Sequence, residues 1–238
     1  MRRALAVLVA LVALAGCGSS GDGKAAPETT TTTTVGPGCP GESTVPQRAP
    51  HQTIDDVDGD GQPDTAYLDG SPGTDITFGI VTAAGGGSSV QFDSASPVER
   101  RALTVNADGR GAVEVFLSDG RSVQLLAFVD CRLRAVRDEK GEPYVFDRGF
   151  RDTGTGVGCI DADGDGKRDL VGLKAEGSEG DDVGWSRTIV ELDGTIARNG
   201  QKDSGTYRKP DDDARIDLLY QVTCGDKTLT DGLTVMDG

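Results

Sequence analysis

Two nine-residue stretches hold the residues best suited to chemistry. One is Asp56-Val57-Asp58-Gly59-Asp60-Gly61-Gln62-Pro63-Asp64. The other is Asp161-Ala162-Asp163-Gly164-Asp165-Gly166-Lys167-Arg168-Asp169. Each has Asp at positions 1, 3, 5 and 9 and Gly at positions 4 and 6. Alternate side chains of a tight loop turn toward one centre, and glycine admits backbone angles that other residues resist. Four carboxylates around one centre repel one another unless a cation sits among them. Calcium, which takes roughly six to eight oxygens, suits this donor set. Position 7 then offers only its backbone carbonyl, so Gln62 and Lys167 serve equally well. The expected ligands are Asp56, Asp58, Asp60, Gln62 and Asp64 in one loop. In the other they are Asp161, Asp163, Asp165, Lys167 and Asp169, with one structural Ca2+ in each loop. The plainer alternative is a pair of solvated acidic turns.

Such loops must be held by rigid elements, and the sequence repeats around them. Asn106 to Glu114 is a weaker copy, with Arg110 where position 5 needs an oxygen. Lys209 to Asp217 is weaker still, with Lys209 at position 1. Neither is expected to bind metal. The copies begin at 56, 106, 161 and 209, which are 50, 55 and 48 residues apart. The segments between them are short, rich in β-branched residues and punctuated by Gly, Ser, Pro and Asp, as strands and turns are. Strands are expected at 65–68, 75–82, 89–92, 101–105, 112–117, 123–129, 133–136, 143–146, 170–173, 186–192, 216–222 and 229–235. About four strands per ~50-residue unit matches a propeller blade. The expectation is an all-β domain over 51–238, built of about four antiparallel, blade-like units.

An EF-hand loop opens in the same way but needs a bidentate acid at position 12. Tyr67 and Gly172 stand there. The loops instead resemble the calcium-binding hairpin loops of FG-GAP/VCBS repeats, found in bacterial surface proteins and the integrin alpha-subunit propeller. The resemblance implies that each loop joins two strands and that the metal stiffens the blade. Leu170 matches the apolar residue expected after the last Asp, whereas Thr65 departs from it. Phe78-Gly79 is a lone trace of the Phe-Gly…Gly-Ala-Pro signature.

The N-terminus reads as an address. Met1-Arg2-Arg3 precedes an unbroken apolar run of 12 residues, Ala4 to Ala15. That is short of the ~20 needed to span a bilayer and suits a signal-peptide core. The run ends in Leu14-Ala15-Gly16-Cys17, which resembles the lipobox of bacterial lipoproteins. The resemblance implies removal of residues 1–16 and lipidation of Cys17. The partner would then be a membrane, and the location the outer face of the bacterial cell membrane. Losing residues 1–16, which hold two Arg and no acid, takes the formal charge from −15 to −17. Residues 17–50 include six threonines, Thr29 to Thr34, with Gly and Pro and no hydrophobic period. They read as a flexible linker, with Cys39 marking where it meets the domain.

Composition narrows the function. A charge of −15 argues against nucleic acid, which needs clustered Lys and Arg. Hydrophobic residues at 36% make a thin core that favours a staple. Cys39, Cys131, Cys159 and Cys224 remain after Cys17, an even number in an exported chain. They suggest two disulfides and allow three connectivities. Cys131–Cys159 with Cys39–Cys224 is the expected pairing, since the first closes a local loop. His51 is the sole histidine and no Gly-x-Ser-x-Gly elbow occurs, so catalysis is not expected. The reading is an exported calcium-binding module with an envelope protein or glycan as partner. A cell-envelope hydrolase and a solute-binding lipoprotein are the alternatives from other classes.

Overall fold

Residues 36–70, 76–94, 96–149 and 155–235 are described by the computed structural model of the chain. The apolar N-terminal run, Cys17 and the threonine run lie outside them. The short apolar runs pair as antiparallel meanders. The first sheet is β1 (His51–Ile54), β2 (Asp64–Asp69), β3 (Ile76–Val81) and β4 (Gly87–Phe92), hydrogen-bonded in that order. The second runs through β5 (Arg100–Val105), β6 (Val113–Ser118), β7 (Ser122–Val129) and β8 (Arg132–Ala135), with β9 (Val145–Asp147) also paired to β7. The third is β10 (Thr155–Ile160), β11 (Asp169–Glu179), β12 (Asp182–Asp193) and β13 (Ile196–Arg208). A helix, α1 (Asp213–Leu218), and a hairpin of β14 (Thr223–Cys224) and β15 (Lys227–Thr228) follow. Then β16 (Leu233–Val235) returns to pair with β5. Among the described residues no sheet closes on itself.

The second sheet is the centre of the packing. Leu68, Phe78 and Ile80 of the first sheet pack with Val115, Leu117 and Leu126 of the second. On the other side, Leu103, Phe116 and Leu125 pack with Val157, Leu170 and Val190 of the third. Every residue of β6 is therefore buried, and its apolar positions run without alternation because both faces are covered. Each such Leu or Phe adds roughly 1.5–3 kcal/mol by leaving water. A third cluster joins Val171, Leu173 and Val183 to Ile216 and Leu219 beside α1. Beyond this cluster β11 to β13 run on as long strands, with the end of β11 and most of β13 exposed and β12 largely half-buried between them.

The all-β expectation holds, with corrections of detail. Three four-stranded meanders form among the described residues, where four units were expected. The fourth copy leads into α1 instead of joining two strands. The strand expected at 216–222 is helical as far as Leu218. Asp211, Asp212 and Asp213 gather negative charge at the helix start, where the peptide dipoles favour it. Ile216 and Leu219, three apart, form its buried face.

Part of the segment that the sequence assigns to the linker packs against the first sheet. Cys39 and Ala49 are buried, and Gly86 donates its N–H to the Cys39 carbonyl at 2.7 Å. A Cβ at Gly86 would lie 2.1 Å from that oxygen, so only glycine admits the contact.

The disulfides join Cys39 to Cys131 and Cys159 to Cys224, correcting the expected pairing. Cys39 belongs to the core between the first and second sheets, while Cys159 and Cys224 belong to the core between the second and third. Cys131 sits at the β7–β8 turn and Cys159 in β10, so nearness in sequence is not nearness in space. Both bridges fit an oxidising, exported compartment. Among the described residues no helix is long and apolar enough to cross a membrane.

Candidate metal centre

Each Asp-Gly loop joins the first and second strands of its sheet. The Asp56 loop links β1 to β2, the Asn106 copy β5 to β6, and the Asp161 loop β10 to β11. Position 9 is fixed by strand pairing: Asp64 faces Ile54, Glu114 faces Val105 and Asp169 faces Ile160. The N–H of position 2 then donates to that carboxylate in all three loops. The distances are 2.7 Å from Val57 to Asp64, 2.9 Å from Ala107 to Glu114 and 2.9 Å from Ala162 to Asp169.

The two strong loops share most of their internal bonds, although the N–H of Asp58 to Asp56, at 3.2 Å, is found in the first alone. The position 1 carboxylate accepts from positions 4 and 6. These bonds are 2.7 Å from Gly59 and 2.8 Å from Gly61 to Asp56, and 2.7 Å from Gly164 and 3.0 Å from Gly166 to Asp161. The four glycines have φ between 78° and 85°, the left-handed region that aims these N–H groups inward. Position 3 accepts from the N–H of position 5, at 3.3 Å for Asp58 and 3.0 Å for Asp163.

Three carboxylates converge in each loop. Oxygens of Asp56, Asp58 and Asp64 lie within 4.8 Å of one another, as do oxygens of Asp161, Asp163 and Asp169. Carboxylate oxygens gathered this closely could share one cation. Asp60 and Asp165 stand outside these groups and accept from the Gln62 and Lys167 N–H groups at 2.7 and 2.8 Å. Gln62 and Lys167 are exposed.

The loops differ in their surroundings. Burial raises the Asp64 carboxyl above its ordinary range, Val57 and Ala83 N–H groups oppose this, and the Asp58 and Asp56 charges add to it. For Asp56 a desolvation cost is outweighed by the N–H groups of Gly61, Gly59, Asp58 and Asp60, which hold it low. The segment before β1 also packs on this loop. Cys39 N–H donates to Asp58 Oδ2 at 2.6 Å and Gly36 N–H to the Gly59 carbonyl at 2.9 Å. The third-sheet loop is more open, with Asp161 and Asp163 exposed. Nothing in residues 36–41 marks the Cys39 contact in advance, because it is made by backbone.

The Asn106 copy keeps the frame without the ligands. Asp108 accepts from Arg110 N–H at 2.8 Å, and the Arg110 side chain stands 3.9 Å from it. Asn106 Oδ1 is buried without a partner. Glu114, at position 9, is 2% exposed. Burial pushes its carboxyl up to about 7, the Ala107 N–H lowers it, and the Asp108 charge raises it further.

Comparison of the chain with family models, with curated proteins and with solved structures returns no match.

Proposed function

We propose that this chain is an exported, lipid-anchored β-repeat protein whose blade-like sheets carry two structural calcium ions. It serves at the outer face of the cell membrane as a binding module for an envelope protein or glycan. The observation that carries the reading is that two loops share five backbone-to-carboxylate bonds and each gather three carboxylates. Bound calcium would supply positive charge and oxygen-coordinating capacity where the chain concentrates negative charge. Asp56, Asp58 and Asp64 would hold one ion, and Asp161, Asp163 and Asp169 the other. The remaining oxygens would come from the rest of each loop and from water. Two ions would take the mature charge from −17 to −13.

Calorimetry and thermal melting test this directly. A ligand that binds only the folded state stabilises it by about 2.7 kcal/mol at a hundredfold excess over Kd. For a domain of this size that is a rise in Tm of roughly 5–10 °C. Extracellular calcium modules bind at roughly 10⁻⁴–10⁻³ M, so the titration must reach millimolar. Asp58→Ala is expected to remove one of two sites and Asp163→Ala the other, while Asp108→Ala changes neither. A melting curve indifferent to calcium, with a flat titration, would overturn the metal reading.

The anchor has its own test. A palmitate analogue fed to expressing bacteria is expected to label the wild type and not Cys17→Ser. An unlabelled, freely released wild type would sink the lipoprotein reading.

A further inference from the structure

A cleft of about 430 Å³ opens beside the second sheet, between the start of β5 and the turn that follows α1. Its size suits a small ligand, since such pockets run from about 300 to 1,000 Å³. None of its lining residues belongs to an Asp-Gly loop, so it stands apart from the metal reading. Val98, Val222 and Leu229 give it an apolar wall, with Val98 at the surface, 48% exposed.

Two guanidinium groups line the cleft, and they differ. Arg101 is neutralised by Glu99, at 2.5 Å. Arg148 makes no ion pair among the described residues. One of its terminal nitrogens donates to the Tyr220 carbonyl at 2.7 Å. Its Nε is buried with no partner among the described residues. Desolvation lowers the Arg148 pKa.

We propose that this cleft binds a small carboxylate carrying an apolar stem, with the carboxylate on Arg148 and the stem along Val98, Val222 and Leu229. A guanidinium offers parallel N–H donors that match a carboxylate's two oxygens. The apolar wall removes the stem from water. Arg101, already held by Glu99, sets the polar edge of the cleft without competing for the anion.

Octanoate is the probe, with octylamine as the control of equal stem and opposite charge. Isothermal titration of the wild-type protein is expected to show one octanoate site and no octylamine binding. Arg148→Gln is expected to weaken octanoate by at least about tenfold, or 1.4 kcal/mol. Val98→Glu places a carboxylate at the exposed mouth and is expected to weaken it comparably. This second variant decides the matter if loss of the Tyr220 contact unfolds the first. N-Acetylleucine, titrated in parallel, separates the sources. Tighter octanoate supports an acyl-chain acid and tighter N-acetylleucine a peptide-derived one, and each is a carboxylate on an apolar stem. No octanoate binding by the wild type, equal binding of octylamine, or wild-type affinity in folded variants would overturn the proposal.

Discussion

Replacing Cys159 and Cys224 together by alanine is expected to lower the unfolding free energy by roughly 4 kcal/mol, the cost of reopening a loop of this length. The bridge spans 65 residues. It ties β10 to β14, and both cysteines are buried, at 3% and 2% exposure. Urea unfolding of the oxidised proteins measures the difference. Each single variant should lose about as much as the double one, because either change breaks the same bond. Cys39→Ala and Cys131→Ala should form a second such set, for a bridge spanning 92 residues. Cys131 is exposed, so mild reductant should open Cys39–Cys131 before Cys159–Cys224. A non-reducing peptide map that links Cys131 to Cys159 would contradict both sets.

Glu114→Gln is expected to stabilise the protein at pH 8 and to leave it unchanged near pH 4. Burial raises the folded-state pKa of Glu114 from 4.5 to about 7. A raised pKa means that folding favours the protonated acid. Below about pH 4.5 both states are protonated and Glu114 costs nothing. As pH climbs from there to about 7, the folded state must either hold the proton or bury a charge. Stability from this group falls throughout that window, and the full penalty stands above it. A shift of this size is on the order of 3 kcal/mol. Glutamine keeps the carbonyl that accepts from Ala107 N–H and removes the charge. Unfolding free energies of both proteins from pH 4 to 8 should therefore diverge upward. Parallel curves would show that Glu114 is not so destabilised.

What the sequence disclosed and concealed follows from where each signal is written. The Asp-Gly loops are local, so their spacing alone placed position 9 beside position 1 and three carboxylates came together. The strands of the central sheet are apolar runs, and Ala112 to Leu117 and Val123 to Val129 anticipated β6 and β7 closely. By contrast β13 carries Arg, Lys, Asn, Gln and Asp and shows no alternation, because much of it lies beyond the core. Its pairing with β12 holds it in place. β10 is hidden by its glycines, which read as breaks. A Cβ on Gly156 would lie 2.4 Å from the Leu218 carbonyl, so the glycine serves a close approach inside a strand. Around Ile216 the aliphatic residues suggested a strand, while the acidic run before them favoured a helix. The disulfide pairing depends on which core each cysteine joins, a property of the whole packing. The cost of Glu114 was concealed for a related reason. It occupies the ligand position of a loop that lacks the other ligands, and its burial comes from sheets on both sides.

The bridges also determine how the chain transmits a pull. Tension arriving from the N-terminal side enters at Cys39 and crosses directly to Cys131, bypassing residues 40–130. It follows the backbone to Cys159 and crosses again to Cys224, bypassing 160–223. Asp56 to Asp64 lies inside the first closed circuit and Asp161 to Asp169 inside the second. With both bridges intact, stretching draws out chain only between Cys131 and Cys159 and at the two ends. Both acidic loops thus lie off the path that carries tension, and a pull on the N-terminal side falls on the strand connections between the circuits.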